Sequence, residues 1–260
     1  MSEKTNSNLF ERLAWDKTTR WFHWINVLCV LGLIIVGTVI LNGKAIGISG
    51  EGKILLKQIH VLIGYAFVLN LLWRLIWAFV GTASARWRSI LPMGDNFLNR
   101  LKEYVAGVRS GNTPTYLGHN PRGRLMVTLL LVLLTIQGIT GLVIAGTDIY
   151  FPPFGPFFAD WVTGGDPERL ANLVPGSKEF VVKELYDEMR AFRKPFMATH
   201  LYSFYILLGA IFVHVLSVVL AEVKERNGII SAMFTGRKVF AKTPVDSLDQ
   251  TPPQEQNQSE

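Results

Sequence analysis

The last apolar run of the chain, residues 196–221, contains two histidines and no charged residue. His200 and His214 are 14 residues apart, which in an α-helix means about 21 Å along the axis and positions within roughly 40° of one face. An imidazole in hydrocarbon costs free energy unless a neighbour or a metal satisfies it. The spacing therefore suggests two cofactors held at two depths of one membrane helix.

Two further histidines begin other apolar runs, His23 in the first and His60 in the second. In a chain that crosses a membrane four times from the inside, His60 and His200 lie near the outer face, whereas His23 and His214 lie toward the inner face. Each pair could ligate one iron, and haem suits two opposed histidines better than bare zinc or copper because a porphyrin supplies the other four ligands. A lone histidine in a membrane helix is more often a packing residue, but four that pair by depth favour metal or haem.

Three basic residues accompany these histidines. Arg20 and Lys57 each precede a histidine by about one helical turn, so they could meet haem propionates or could serve as ordinary interfacial anchors. Arg74 follows His60 by 14 residues, at the other end of the second run. A charge there either meets a partner, such as a propionate or a quinone, or extends to the interface.

Cysteine chemistry contributes little to the predicted cofactor sites. The single cysteine, Cys29, lies in the first apolar run, and the sequence has neither a motif for covalent haem attachment nor a cysteine set for an iron–sulfur cluster. Any cofactor is therefore expected to be held by non-covalent contacts and by histidine.

The elements that position these residues are apolar runs long enough to cross a bilayer, which requires about 20 residues each. They are residues 21–41, 59–80, 125–145 and 196–221. In lipid such runs must be helical to satisfy their own backbone. Asp16 and Thr18 are plausible caps for the first helix. The sequence thus predicts an all-α fold, a four-helix transmembrane bundle with up-down-up-down topology over residues 21–221.

The distribution of charge predicts an orientation. Lys and Arg number 16 in residues 1–20, 81–124 and 222–260, and nine in residues 42–58 and 146–195. By the positive-inside rule, the N-terminus (1–20) and the tail (222–260) are cytoplasmic, and residues 146–195 lie on the outer side of the membrane. The net charge of +6 reflects this one-sided distribution, which argues against nucleic-acid binding. The polar end of the tail is predicted to be disordered.

Two connecting segments have amphipathic patterns. Residues 95–109 place apolar residues on one helical face and basic residues on the other, which predicts a helix lying on the cytoplasmic membrane surface. Residues 177–193 predict a short periplasmic helix inside the outer segment 146–195.

Five short motifs carry a family resemblance over residues 15 to about 240. They are RWFHW, KQIHVLIGY, RLIWAFVG, GHNPRGR and the two histidines 14 residues apart in the last run. The combination resembles the bacterial cytochrome b561 family. That family includes the b-type cytochrome subunit of membrane-bound nickel–iron hydrogenases and is similar to the gamma subunit of formate dehydrogenase.

The resemblance implies a four-helix core that carries two haems b and exchanges electrons with quinone. The ligand positions of the family fall on His23, His60, His200 and His214, the same four residues that pair by depth. In related subunits a quinone binds near the inner haem, beside the loop before the third span. That loop matches the GHNP stretch here, so His119 and Asn120 are candidate quinone contacts, with turn and helix-cap chemistry as the alternative.

Three functions are compatible with these residues. The first is an electron-transfer subunit in the lipid membrane, joining a periplasmic redox partner (an iron–sulfur protein such as a hydrogenase, or a c-type cytochrome) to the quinone pool. The second is a stand-alone enzyme that oxidises superoxide and reduces quinone; the outer segment favours docking and hence the first. The third is a transporter that uses the histidines as a proton or metal path, and the absence of acidic residues from the four apolar runs argues against it.

Overall fold

The computed structural model describes residues 9–94, 96–225 and 227–247, and these are mostly helical. The elements in chain order are β1 (Phe10–Leu13), α1 (Lys17–Asn42), α2 (Gly50–Val80), a 3₁₀ turn (Ala83–Ala85), α3 (Trp87–Ile90), α4 (Phe97–Ser110), α5 (Pro121–Ile149), α6 (Gly155–Thr163), α7 (Pro167–Ala171), α8 (Lys183–Glu225), α9 (Ile229–Thr235) and β2 (Arg237–Phe240). They form two compact units. The helical unit comprises residues 21–76 and 129–212, and the terminal unit comprises the rest of the described chain.

Four helices, α1, α2, α5 and α8, are long and apolar enough to cross a membrane. Even the shortest, α1 with 26 residues, extends about 39 Å and exceeds a hydrocarbon core of about 30 Å. Large apolar side chains on these helices, such as Leu28, Ile35 and Leu62, are more than half exposed, as lipid-facing residues are. The predicted all-α, multi-pass membrane fold with four spanning helices is confirmed.

The spanning helices are longer than the apolar runs that predicted them. The second helix begins at Gly50 rather than at residue 59, so the first loop is only residues 43–49. The third extends from Pro121 to Ile149, beyond both ends of the predicted 125–145. Hydropathy marks the part of a helix inside hydrocarbon, whereas the backbone hydrogen bonds of the helix continue through polar residues outside it.

The largest boundary difference concerns the fourth span. The sequence predicts a separate helix over residues 177–193 and a span starting at residue 196, but the structure has one continuous 43-residue helix, α8, from Lys183 to Glu225. Pro195 lies inside this helix. A proline removes one backbone donor, but long membrane helices tolerate it, which is why the expected break is absent. One helix therefore carries both His200 and His214.

Glycines allow the helices of the helical unit to approach closely. A Cβ atom placed on Gly32 of α1 would lie 3.4 Å from Ile63 of α2. A Cβ atom on Gly138 of α5 would likewise lie 3.4 Å from Val68 of α2. Small residues at such contacts are typical of helix packing in membranes, where van der Waals contact drives association.

The segment between α5 and α8 has its own small core. Phe158, Val162 and Met189 are buried together, and the Val182 N–H donates to the Val162 carbonyl at 2.8 Å. The short helix predicted over residues 177–193 is not a separate element, because residues 183–193 are the first turns of α8. The short helices of this segment are α6 and α7, which the sequence analysis did not predict.

The terminal unit contains a two-stranded antiparallel sheet that the sequence analysis missed. Strand β1 pairs with β2, with Phe10 opposite Phe240. Trp15, Leu117, Ala232 and Phe240 form the core beneath it. Direct pairing of the strands places the two ends of the described chain on the same side of the membrane, as an even number of spans requires. Residues 248–260, where disorder was predicted, lie outside the described residues.

Helix α4 (Phe97–Ser110) confirms the amphipathic helix that the sequence predicts over residues 95–109. Phe97 and Tyr104, seven residues apart on one face, are its buried residues, and the helix ends at Gly111 in the left-handed conformation. The Tyr104 hydroxyl donates to Glu225 at 3.0 Å, which joins α4 to the end of α8.

Asp16 caps α1 and connects it to the end of α2. Its carboxylate accepts the Thr19 N–H at 2.7 Å and also accepts bonds from the Thr82 hydroxyl and the Trp77 indole N–H. Partial burial alone would raise the pKa of Asp16, but these hydrogen bonds together lower it below its ordinary value.

We expect Asp16→Ala to lower the melting temperature of the detergent-solubilised protein, because loss of a helix cap costs about 1 kcal/mol. The native pKa is depressed, so the difference from wild type should be full above about pH 4 and shrink as the pH falls through the lowered pKa. Asp16→Asn, which retains a capping oxygen, is the control and should lose less. Equal melting temperatures for wild type and Asp16→Ala at pH 7 would contradict this role.

Candidate functional site

His60 of α2 and His200 of α8 line one cavity of about 550 Å³ in the helical unit. The walls come from all four spanning helices and are almost entirely aliphatic, aromatic or glycine. The two histidines that the sequence pairs near the outer face are therefore brought to one apolar space.

Glycines lie against both imidazole rings. A Cβ atom on Gly37 of α1 would lie 3.2 Å from Cε1 of His60, and one on Gly141 of α5 would lie 3.4 Å from Cε1 of His200. A Cβ atom at position 37 would therefore be tight against the His60 ring, whereas one at position 141 would just touch the His200 ring. Gly64, one turn after His60, also lines the cavity, and a Cβ there would meet nothing within 4 Å. The first two glycines thus let the rings lie close to α1 and α5, and Gly64 leaves space beside α2.

The ring of His200 is oriented by Thr140, which is 5% exposed. The Thr140 hydroxyl donates to the Ile136 carbonyl at 2.6 Å, so its oxygen is available as an acceptor for His200 Nδ1, 2.8 Å away. This arrangement assigns the proton of a neutral His200 to Nδ1. The other nitrogen, Nε2, then carries the free lone pair that a metal ligand needs.

Gln137, one turn before Thr140, holds the backbone at the same place. Its amide nitrogen donates to the His200 carbonyl and to the Ser203 hydroxyl, both at 3.0 Å. The position of His200 is therefore fixed through ring and backbone by two residues of α5. Gln137 and Thr140 are not among the predicted site residues; their spacing of three residues in an apolar run, which places both on one helical face, was the available signal.

His60 has a different environment. Its Nδ1 atom is buried and has no hydrogen-bond partner among the described residues. A buried polar atom without a partner costs free energy, so the ring is stabilised less by protein contacts than that of His200.

Charged residues lie at the end of this cavity that is nearest the loops. Lys57, predicted as a propionate partner, forms an ion pair with Asp148, which also accepts a bond from Arg193 at 2.8 Å. Lys57, Asp148 and Lys194 all line the cavity. The sequence analysis missed Asp148, Arg193 and Lys194, because they lie outside the apolar runs and match no motif.

The remaining predicted ligands and basic residues are distributed over both units. His23 belongs to the helical unit and packs edge-on against Trp24, while His214 belongs to the terminal unit, so their pairing stays a prediction. Arg74 is 5% exposed, with its guanidinium 5.8 Å from the centre of the Phe22 ring. Arg20 donates a hydrogen bond to the Phe234 carbonyl in the terminal unit.

His119 and Asn120 lie in the loop that leads into α5. The His119 ring packs against Trp15, with ring centres 4.6 Å apart. Asn120 caps α5, since its Oδ1 accepts the Gly123 N–H at 2.7 Å, and its amide nitrogen donates to the Tyr104 hydroxyl at 2.8 Å. Burial and the neighbouring Glu225 raise the pKa of Tyr104, so its hydroxyl stays protonated at neutral pH.

Residues of the tail hold this loop from two sides. Asp246 accepts the N–H groups of Leu117 and Gly118 at 2.6 and 2.9 Å. Lys238, which is 4% exposed, donates to the Tyr116 and Gly118 carbonyls. The sequence analysis treated residues 222–260 only as a tail and missed this contribution.

The chain is similar in sequence to several known proteins. The Rhizobium leguminosarum bv. viciae protein named probable Ni/Fe-hydrogenase B-type cytochrome subunit is 25% identical over 243 residues, 87% of this chain and 88% of the relative. The corresponding subunit of hydrogenase 1 from Escherichia coli (strain K12) is 26% identical over 211 residues, 72% of this chain and 86% of the relative. A Rhodobacter capsulatus protein, also named probable Ni/Fe-hydrogenase B-type cytochrome subunit, is 24% identical over 237 residues, 87% of this chain and 81% of the relative.

Residues 14–236 match the family described as prokaryotic cytochrome b561, a range that contains all four spanning helices and every predicted site residue. The chain therefore belongs to the prokaryotic cytochrome b561 family and is a membrane-bound b-type cytochrome, which binds haem b and transfers electrons.

Proposed function

We propose that the protein is the diheme electron-transfer subunit of a membrane-bound oxidoreductase rather than a stand-alone enzyme. In this proposal His60 and His200 ligate an outer haem b, and His23 and His214 ligate an inner one. The observation that carries it is the cavity of about 550 Å³ in which His60 and His200 meet, with a glycine against each ring.

The residues of this cavity fit haem b. Its volume lies within the range of about 300–1,000 Å³ that is usual for cofactor pockets. Apolar walls suit a porphyrin face, and Lys57 and Lys194 supply cations for propionates at one end. The buried Nδ1 of His60 and the oriented ring of His200 belong to two imidazoles on facing helices. When bound, haem supplies reversible one-electron transfer at its iron.

The protein residues have separate roles in this site. Thr140 and Gln137 keep the Nε2 atom of His200 unprotonated and fixed in direction, while Asp148 holds Lys57 and Arg193 near the cavity. For the inner haem, the propionate candidates are Arg74, which is 5% exposed in α2, and Arg20, which donates to the Phe234 carbonyl.

The partner is proposed to be a periplasmic redox subunit, most simply a nickel–iron hydrogenase, as the names of the relatives support. Another iron–sulfur protein or a c-type cytochrome could also deliver electrons to the outer haem from the same side of the membrane. The segment between α5 and α8 supports docking because Phe157 and Val174 are 67% and 56% exposed there. The protein would then lie in the inner membrane with both ends cytoplasmic, where the charge distribution puts them.

Quinone is the proposed electron acceptor, at a site formed by His119 and Asn120 near the inner haem. A quinone carbonyl could accept a bond from the Asn120 amide in place of the Tyr104 hydroxyl, and the imidazole of His119 offers a ring nitrogen that could relay a proton. Protons would then be taken up from the cytoplasm.

Purified wild-type protein should contain two haems b per chain, and His60→Ala or His200→Ala should contain one, because each removes a ligand of the same haem. Pyridine haemochrome analysis measures this ratio. His119→Ala is the matched control, since it removes the one histidine that is not a proposed ligand, and should retain both haems. One haem per chain, or none, in the wild type would refute the diheme assignment.

Thr140→Val should raise the midpoint potential of one haem by about 20–60 mV, because the imidazole of His200 loses the acceptor that makes it a stronger donor to ferric iron. A shift of about 59 mV is a tenfold change in a one-electron equilibrium. Thr140→Ser keeps the hydroxyl and should keep the potential. Optical redox titration of both variants measures the effect, and an unchanged potential in Thr140→Val would exclude this role.

Asn120→Ala should slow quinone reduction at least tenfold while both haems stay bound and reducible. Asn120→Ser separates the two roles of the residue, because serine also caps helices but has no amide donor. Stopped-flow reoxidation of the reduced haems by a soluble quinone measures the rate. The quinone role requires both variants to be slow; normal turnover in Asn120→Ser would mean that the residue acts only as a cap.

A further inference from the structure

A second, smaller cavity of about 190 Å³ lies in the terminal unit, and none of the described residues that line it is a predicted haem or quinone residue. It is formed where the chain between α3 and α4 meets the first turn of α5. The residues that line it are Met93, Gly94, Asn96, Phe97, Arg100 and Arg124. Its volume is below the range of about 300–1,000 Å³ for pockets that enclose whole small molecules, so it suits a single chemical group.

The polar lining of this cavity is cationic. Arg124 donates to the carbonyls of Arg88 and Met93, and its guanidinium lies over the ring of Phe97, 5.6 Å from the centre. The Nε atom of Arg124 is buried and has no hydrogen-bond partner among the described residues. Arg100 is exposed beside it. Two guanidinium groups and an unused buried donor at one small cavity favour a bound anion, and the planar fork of arginine suits phosphate in particular.

The cavity lies at a membrane boundary. Helix α2 ends at Val80 and α5 begins at Pro121, so the intervening segment is where the chain leaves the hydrocarbon. Large apolar side chains next to the cavity are exposed: Met93 by 64%, Leu98 by 68% and Leu125 by 42%. A soluble anion would make no use of this apolar surface, whereas the acyl chains of a lipid would cover it.

We propose that this cavity binds the phosphate of an anionic phospholipid, with Arg100 and Arg124 on the headgroup and the acyl chains along Met93, Leu98 and Leu125. Basic residues at the boundary of a membrane protein attract anionic headgroups. Neither arginine is a predicted haem or quinone residue, although the Arg124 N–H donates to the Asn120 carbonyl at 2.9 Å. It would anchor the segment between α2 and α5 at the level of the headgroups.

The test measures the melting temperature of the full-length, haem-loaded protein in an uncharged detergent with added phosphatidylglycerol or phosphatidylcholine. Phosphatidylglycerol should raise it by roughly 3–6 °C more than phosphatidylcholine does. Native mass spectrometry of the same samples should show one phosphatidylglycerol retained per chain.

Arg100→Gln should abolish most of this difference and the retained lipid. It is the first variant to examine because Arg100 is exposed and its loss leaves the Arg124 contacts in place. Arg124→Lys keeps the charge but loses the fork, and should reduce the difference by at least half. Arg109→Gln is the matched control, since it removes an equal charge from the same helix outside the cavity, and should behave as wild type.

Three results would overturn the proposal. Equal stabilisation by the two lipids would show that no anionic-lipid site exists. Equal stabilisation by inorganic phosphate and by phosphatidylglycerol would show a site for a free anion. Loss of the difference in Arg109→Gln to the same extent as in Arg100→Gln would show that general surface charge, and not the cavity, attracts the lipid.

Discussion

A polar group inside hydrocarbon must find its partner within the protein, and the helical unit of this cytochrome depends on that constraint. Within α5 the polar side chains Gln137 and Thr140 both bond to the helix backbone or to α8 at His200. Neither has water as an alternative partner, so each bond also fixes a direction. An imidazole held in this way presents the same nitrogen to the cavity at all times, which is the preorganisation a metal ligand needs.

In the terminal unit, charged side chains rather than helix packing hold the loop that precedes α5. Asp246 and Lys238 bind the backbone of the loop that precedes α5, one as acceptor and one as donor. Burial lowers the pKa of Lys238 to about 8, against the opposing influence of nearby carboxylates such as Glu225. The lysine is therefore still charged at neutral pH, and its bonds to the loop weaken as the pH rises through that value. The loop that carries His119 and Asn120 thus depends on residues more than 100 positions away.

Periodicity and hydropathy encode the spans and the depths of the histidines, and these could be predicted from the sequence. The four spans follow from runs of apolar residues, and the depth of each histidine follows from its position within its run, so the sequence alone is sufficient to pair His60 with His200. Helix ends could not be predicted, because hydropathy stops at the edge of the hydrocarbon while α8 continues from Lys183 through Pro195. Contacts between distant residues, such as Thr140 with His200 or Asp148 with Lys57, could not be predicted either, since the spacing of polar residues within one helix does not say which residues of another helix they meet.

The pairing of β1 with β2 has a consequence for the synthesis of the protein. Phe10 lies opposite Phe240, so the first strand leaves the ribosome 230 residues before its partner. At about 5–20 residues per second, that interval is on the order of 10–50 s. During this time all four spanning helices are translated. Phe10 and Trp15 cannot be buried in their core until Ala232 and Phe240 have been synthesised. Closure of the sheet is therefore a late event that only a fully translated chain can complete, and a chain truncated before residue 237 would expose an unpaired strand to the quality-control proteases of the cell.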